Sequence, residues 1–184
     1  MADIVYPTYY SLHTKTSFFE VTQYFAAQKI KIIMGTYDKK TQIEVFFTIQ
    51  EARKMARDIK NGIVKNNLLN IEEVAKKQGT KPEYANLYAT TSKGTKGRYR
   101  YLAVRKGART HFTLVGLSGP GKEDENGLMK IAGAPDQQVF IPVQGGLLDL
   151  ADALLDAAHD CNIYTMVKWM ADTGVLENAG KQRK

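Results

Sequence analysis

The sequence predicts an α+β fold in which a four-stranded antiparallel sheet followed by a helix occurs twice, a ββββα repeat. Three observations predict it. Gln42 to Thr48 alternates, with Ile43, Val45 and Phe47 on one side and Gln42, Glu44, Phe46 and Thr48 on the other, the pattern of a half-buried strand. That strand runs directly into a helix: Thr48-Ile49-Gln50-Glu51 has the spacing of a capping box, and Ala52, Met55, Ala56 and Ile59 form an apolar stripe behind it. The same unit then recurs. Val139-Phe140-Ile141-Pro142-Val143-Gln144 mirrors Val45-Phe46-Phe47-Thr48-Ile49-Gln50, and Leu147, Leu150, Ala151, Leu154, Leu155 and Ala158 follow it at helical spacing.

The remaining elements fill out each copy. In the first, Tyr9 to His13, Ser17 to Phe25 and Lys29 to Tyr37 are rich in β-branched and aromatic residues and read as strands. The helix after Thr48 carries Arg53, Lys54, Arg57 and Lys60 on its solvent side, and Gly62 can end it. Residues 63–83 read as a helical linker, with Asn70-Ile71-Glu72-Glu73 as a cap before a short helix ending at Gly79. In the second copy, Tyr84 to Thr91, Arg98 to Arg105, Thr110 to Leu117 and Gly127 to Ile131 read as strands. Lys106-Gly107-Ala108-Arg109 fits a hairpin turn, and Ser118 to Gly127 reads as a flexible polar loop. A weaker upstream match sets Ile30–Asp38 against Leu128–Asp136, with Gly35 over Gly133 and Asp38 over Asp136.

A helix is expected from Leu147 to Asp160, and residues 161–172 form a further helical segment. Its Met, Tyr and Trp side chains between Ile163 and Met170 are expected to pack on the core or on another subunit. Residues 179–184 read as a flexible tail. The expected organisation is one domain, 1–178, with repeats at about 4–62 and 84–160. Each sheet would bury one face under its helix and leave the other open to water, and the open face is where function is expected.

The chain has 184 residues, of which 43% are hydrophobic and 10% aromatic, enough for a core; wholesale disorder is excluded. No apolar run approaches the roughly 18 residues of a membrane helix, so no membrane partner is expected. Met1 to Pro7 lacks a basic region followed by an apolar one, and the single cysteine, Cys161, cannot form an internal disulfide. Both point to an intracellular protein, cytoplasmic or nucleoid-associated, and compatible with a viral source.

Charge is unevenly spread. Residues 1–110 hold 20 Lys/Arg against 9 Asp/Glu, giving +11; residues 111–184 hold 6 against 10, giving −4. Lys93, Lys96, Arg98, Arg100, Arg105, Lys106 and Arg109 follow one another with no acid between them. Cations concentrated in one segment suit a polyanion, because each one placed near a phosphate releases condensed counterions; ordinary solvation is the alternative.

The strand Val139 to Val143, the amphipathic helix Leu147 to Asp160 and then Met166-Val167-Lys168-Trp169 are similar to the C-terminal part of the Whirly family of single-stranded DNA-binding proteins. The plan of strands then helix, twice over, also resembles that family and the related positive-cofactor-four and Pur-repeat proteins. The sequence likeness covers about the last 45 residues, and the plan covers the whole chain. The family's Lys-Gly-Lys-Ala-Ala-Leu-type stretch on an early strand is absent; its nearest counterpart is Lys106-Gly107-Ala108-Arg109, in the second copy. The resemblance implies two packed four-stranded sheets, a tetramer built through helices, and largely sequence-tolerant binding of single strands.

Binding unpaired strands needs cations along the backbone and aromatic faces for the bases. Arg98-Tyr99-Arg100-Tyr101 supplies both on one strand, with Arg105, Lys106 and Arg109 close behind. Lys29, Lys31 and Tyr37 do so in the first copy, with Lys39 and Lys40 in the next turn. Alternation sets Phe46 and Phe140 opposite the helix-covered face, as outward stacking platforms; burial in a sheet-on-sheet or subunit interface is the alternative reading. No catalytic residue, metal site or cofactor is expected. Asp149, Asp152, Asp156 and Asp160 form a helical stripe that could hold a divalent metal in a nuclease, though an acidic solvent face is the commoner meaning. His13, His111 and His159 are scattered, and Cys161 reads as a buried thiol. The expected function is non-catalytic, sequence-independent binding of single-stranded DNA by a homo-oligomer, in replication, recombination or repair. The rivals are an RNA-binding or transcription-regulating module and a structural or assembly protein.

Overall fold

The computed structural model describes residues 7–24, 27–82, 85–90, 97–107, 112–125 and 129–173, with 85–90 described by backbone alone. Four strands come first: β1 (Thr8–His13), β2 (Ser17–Tyr24), β3 (Lys29–Thr36) and β4 (Gln42–Phe47), paired antiparallel in that order as sheet 1. Two helices follow, α1 (Ile49–Lys60) and α2 (Ile63–Gln78). Then come β5 (Ala85–Thr90), β6 (Arg98–Lys106), β7 (Phe112–Glu123), β8 (Met129–Ile131) and β9 (Gln137–Val143), and finally α3 (Leu148–Asp172). Sheet 2 runs β5-β6-β7, with β9 alongside β7 over residues 112–118 and the short β8 pairing residues 121–123 of β7. Among the described residues the protein is thus mixed α+β, with a four-stranded antiparallel sheet, a second antiparallel sheet of four strands plus the short β8, and three helices.

Alternation builds both sheets as the sequence predicts. Phe19, Val21, Ile30, Ile32, Met34, Ile43, Val45 and Phe47 are buried on the inner face of sheet 1, each burial worth about 1.5–3 kcal/mol. Leu102, Val104, Leu114, Val139, Ile141 and Val143 form the inner face of sheet 2 and belong to the same buried cluster. The helical stripe Ala52, Met55, Ala56 and Ile59, together with Leu150, Ala151, Leu154, Ala157 and Ala158 of α3, completes it. The helix that follows sheet 2 in the chain does not stay with that sheet. α3 packs on α1 and across β1, β2 and β3, where Gln23 donates to the Ala157 carbonyl at 2.7 Å.

The sheets come into close contact at Gly116. A Cβ there would lie 2.8 Å from the Met34 sulfur and 3.4 Å from Ile43, so the site takes no side chain without displacement. The capping box at α1 is formed: the Glu51 amide donates to Thr48 Oγ1 at 3.2 Å, and the Thr48 amide donates to the Glu51 carboxylate at 2.7 Å.

The strand registers of the two sheets match. The row Thr22, Lys31, Phe46 in sheet 1 corresponds to Ala103, Val115, Phe140 in sheet 2. Four residues further along β3 and β7, the pair Phe18 and Gly35 corresponds to Tyr99 and Gly119. β7 is therefore the counterpart of β3. The expected match of Ile30–Asp38 to Leu128–Asp136 is corrected, because Leu128–Asp136 spans β8 and the connection to β9 rather than the strand beside β9.

Three other expectations are corrected. Ser118 to Glu123 continues β7 instead of forming a loop, because Gly119 and Gly121 fit beneath a neighbouring ring and strand and the Gly121 amide donates to the Gly97 carbonyl at 2.7 Å. Asn70 does not cap a helix: α2 already starts after Gly62, and its buried Val64, Leu68 and Ala75 carry the helix through that position to Gly79. Residues 161–172 are not a separate segment but the second half of α3, and Ile163, Met166, Val167 and Trp169 there do not pack on the core; they are exposed. The turn expected at Lys106–Arg109 and the tail at 179–184 lie wholly or partly outside the described residues.

Candidate nucleic-acid interface

Each sheet turns one face away from the core, and the two outward phenylalanines stand there. Phe46, half-buried, sits in the row with Lys31, whose ammonium lies 5.7 Å from the ring centroid and 2.7 Å from the Glu44 carboxylate. Tyr24 meets the same ring edge-on at 5.7 Å, and Lys29, opposite Tyr24 in the register, is exposed. Phe140, also half-buried, has the Arg105 guanidinium over its ring at 4.7 Å. Cations within about 6 Å of an aromatic face are held by its quadrupole. The structure thus places an outward Phe at equivalent register positions of both sheets, each with a cation over its ring, although the cations come from different positions: Lys31 stands where sheet 2 has Val115, and Arg105 where sheet 1 has Tyr24. Neither a family model nor a curated protein matches this chain.

The segment Arg98-Tyr99-Arg100-Tyr101 does not act as one surface. Its alternation puts Arg98 and Arg100 on the same face as Leu102 and Val104, and Tyr99 and Tyr101 on the other. Arg100 is half-buried and donates to the Glu44 carbonyl of β4 at 3.0 Å; burial lowers its pKa. Arg98 forms a two-pronged bond to Asp136, with Nη1 to Oδ2 at 3.0 Å, and that bond raises the guanidinium pKa and lowers the carboxyl pKa. Tyr99 is only 2% exposed, and its hydroxyl reaches the Gly133 carbonyl at 3.4 Å. Tyr101 is half-buried and meets Tyr99 edge-on at 5.7 Å. The expectation of an open basic–aromatic strand here is corrected: both arginines have protein partners, and Tyr99 is covered.

Lys39 and Lys40 are exposed in the turn after β3. Asp38 shapes that turn, accepting from Thr36 Oγ1 at 2.6 Å and from the Lys40 amide at 3.1 Å; these bonds hold its carboxyl below the ordinary range. Tyr37 is exposed beside them. Lys106 pairs with Glu72 of α2 at 3.2 Å, and Arg109 lies outside the described residues.

Two rings that the sequence reading did not single out stand with Tyr37. Phe18 lies 5.6 Å from it, and His13 lies edge to edge with it, the ring planes 12° apart and the centroids 6.4 Å apart, with Nδ1 2.6 Å from the Tyr37 hydroxyl. The signal available was the alternation of β2, which sets Phe18 and Thr22 on one face; the adjacent Phe19 obscured which of the two rings pointed outward.

Two of the four carboxylates of the α3 stripe have partners in the rest of the protein. Asp152 pairs with Lys60 of α1 at 2.5 Å, and Asp160 accepts from the Tyr9 hydroxyl at 2.8 Å, a bond that together with burial pushes the Tyr9 pKa up. Among the described residues, no three His, Cys, Asp or Glu side chains converge as a metal site. His159 is exposed, His111 lies outside the described residues, and burial raises the pKa of the Cys161 thiol. No described helix is long and apolar enough to cross a membrane.

Proposed function

We propose that this protein is a non-catalytic binder of single-stranded DNA that takes hold of unpaired strands largely without regard to sequence, protecting or presenting them in replication, recombination or repair. The observation that carries this reading is the repeated pairing of an outward Phe with a cation: Phe46 with Lys31, and Phe140 with Arg105. An aromatic face offers every base the same stacking surface, and a neighbouring cation neutralises the adjoining phosphate. The Arg105 guanidinium, 4.7 Å from the Phe140 ring centroid, adds a planar group on which a base can stack. The net charge of +7 and the Whirly resemblance support the same conclusion.

Binding to a labelled oligothymidine tests it. Affinity should fall with log[salt] at a slope of about −0.7 per phosphate contact. Phe46→Ala and Phe140→Ala should each weaken binding about 5- to 150-fold, the worth of roughly 1–3 kcal/mol per stacked base. Equal or tighter binding to duplex DNA, or no change in either variant, would sink the reading; tighter binding of an RNA of the same sequence would move the substrate to RNA.

The same reading makes the protein a homo-oligomer, and the resemblance favours a tetramer. In its support, the last turns of α3 leave Ile163, Met166, Val167 and Trp169 exposed in a single chain, a stretch of apolar surface of the kind that marks an interface.

A further inference from the structure

At the end of each sheet opposite the Phe46 and Phe140 rows, an aromatic ring lies over a glycine of the next strand. In sheet 1 it is Phe18 over Gly35: a Cβ on Gly35 would come within 2.8 Å of the ring. In sheet 2 it is Tyr99 over Gly119, where a Cβ would come within 2.9 Å of the ring. In both cases the missing side chain lets the ring lie close against the backbone.

The two platforms then differ. The second repeat inserts the β8 excursion between β7 and β9, and it closes over Tyr99: the Pro135 backbone also lies within 2.9 Å of the Gly119 Cβ position, and the Arg98–Asp136 pair ties the connection down. The first repeat joins β3 to β4 by the short turn from Tyr37 to Thr41 and inserts nothing. There the glycine-seated ring is extended instead by Tyr37 and His13. The Tyr37 amide donates to the Thr16 carbonyl at 3.0 Å, so the turns at the ends of both hairpins are bound together beneath the rings. Tyr37 is 50% exposed, and Lys15, Lys39 and Lys40 stand exposed around it.

We propose that Phe18, Tyr37 and His13 form a second nucleobase-stacking subsite, open in sheet 1 and closed in sheet 2 by the chain's own β8–β9 connection. It rests on the single-strand reading above and deepens it. Lys39 and Lys40 take the phosphate of the stacked nucleotide. The subsite lies four residues along β3 from the Phe46 row, about 14 Å at roughly 3.4 Å per residue. Sheet 1 therefore engages one strand at two separate points, whereas sheet 2 engages it at Phe140 alone.

The experiment uses the full chain and oligothymidines carrying one 2-aminopurine, whose fluorescence falls on stacking, at each position in turn. The wild type should quench at two separated positions in the sheet 1 footprint. Tyr37→Ala should abolish one of them and weaken binding about ten-fold, while Phe46→Ala abolishes the other. Tyr37→Phe keeps the ring, loses the His13 bond and should retain the quenching. Gly35→Ala, which displaces Phe18, should behave like Tyr37→Ala. Tyr99→Phe should change nothing. If the wild type binds and Tyr37→Ala leaves affinity and both quenching positions intact, the subsite is wrong and the single-strand reading stands. If the wild type binds no single strand at all, both fall.

Discussion

At Asp136 an exposed carboxylate ties down the connection that lies over Tyr99. Its bond to Arg98 holds the connection from Ala132 to Asp136 against β7, and the Asp136 amide donates to the Ser118 carbonyl at 3.1 Å. The carboxyl pKa is lowered by the Arg98 bond, so the contact is fully present above the ordinary aspartate value near 4 and is lost as the pH falls below it through the lowered one. Asp136→Asn should produce the acid-loosened form at neutral pH. Nitration of tyrosines followed by mass spectrometry should then show Tyr99 reacting faster than in the wild type, with the exposed Tyr37 unchanged. An unreactive Tyr99 in the variant would mean the connection is held by its backbone bonds alone.

At the scale of elements, the glycines sort by what lies above them. Gly116 sits where the sheets touch, and Gly116→Val should cost about 1–3 kcal/mol by overpacking against Met34 and Ile43, read as a lowered urea midpoint at unchanged slope. Gly133→Ala should be neutral, since a Cβ there meets Pro120 only at an ordinary 3.7 Å. The same contrast explains which elements were legible in the sequence. β4 and α1 announced themselves because alternation, the Thr48–Glu51 cap and the stripe from Ala52 to Ile59 all agree. The outward positions of Phe46 and Phe140 followed from that alternation. The second half of β7 was hidden because Gly119-Pro120-Gly121 has the composition of a loop, while the glycines are there for a close ring and a close strand. Arg98 and Arg100 were misplaced because local pattern does not say which side of a strand meets the other sheet. The pairing of Arg100 with β4 spans 56 residues, and no local window contains it.

For the whole molecule, the free end of α3 carries the test of assembly. Trp169 is the sole tryptophan and is 59% exposed in one chain, so its emission reports directly on whether that end is covered. Light scattering should give a mass above 20.6 kDa, with blue-shifted Trp169 emission. Met166→Glu should return both the mass and the emission to those of a solvated single chain. A wild type that already behaves as a monomer, with water-exposed emission, would remove the oligomer from the proposal.

The position of α3 has one more consequence. This helix follows sheet 2 in the chain but roofs sheet 1, and the two sheets press their inner sides together at Gly116. Neither half therefore owns a complete interior. A backbone nick in the connection between α2 and β5 would leave two fragments with no stable existence apart, each the other's missing wall, and so a cut chain that stays whole.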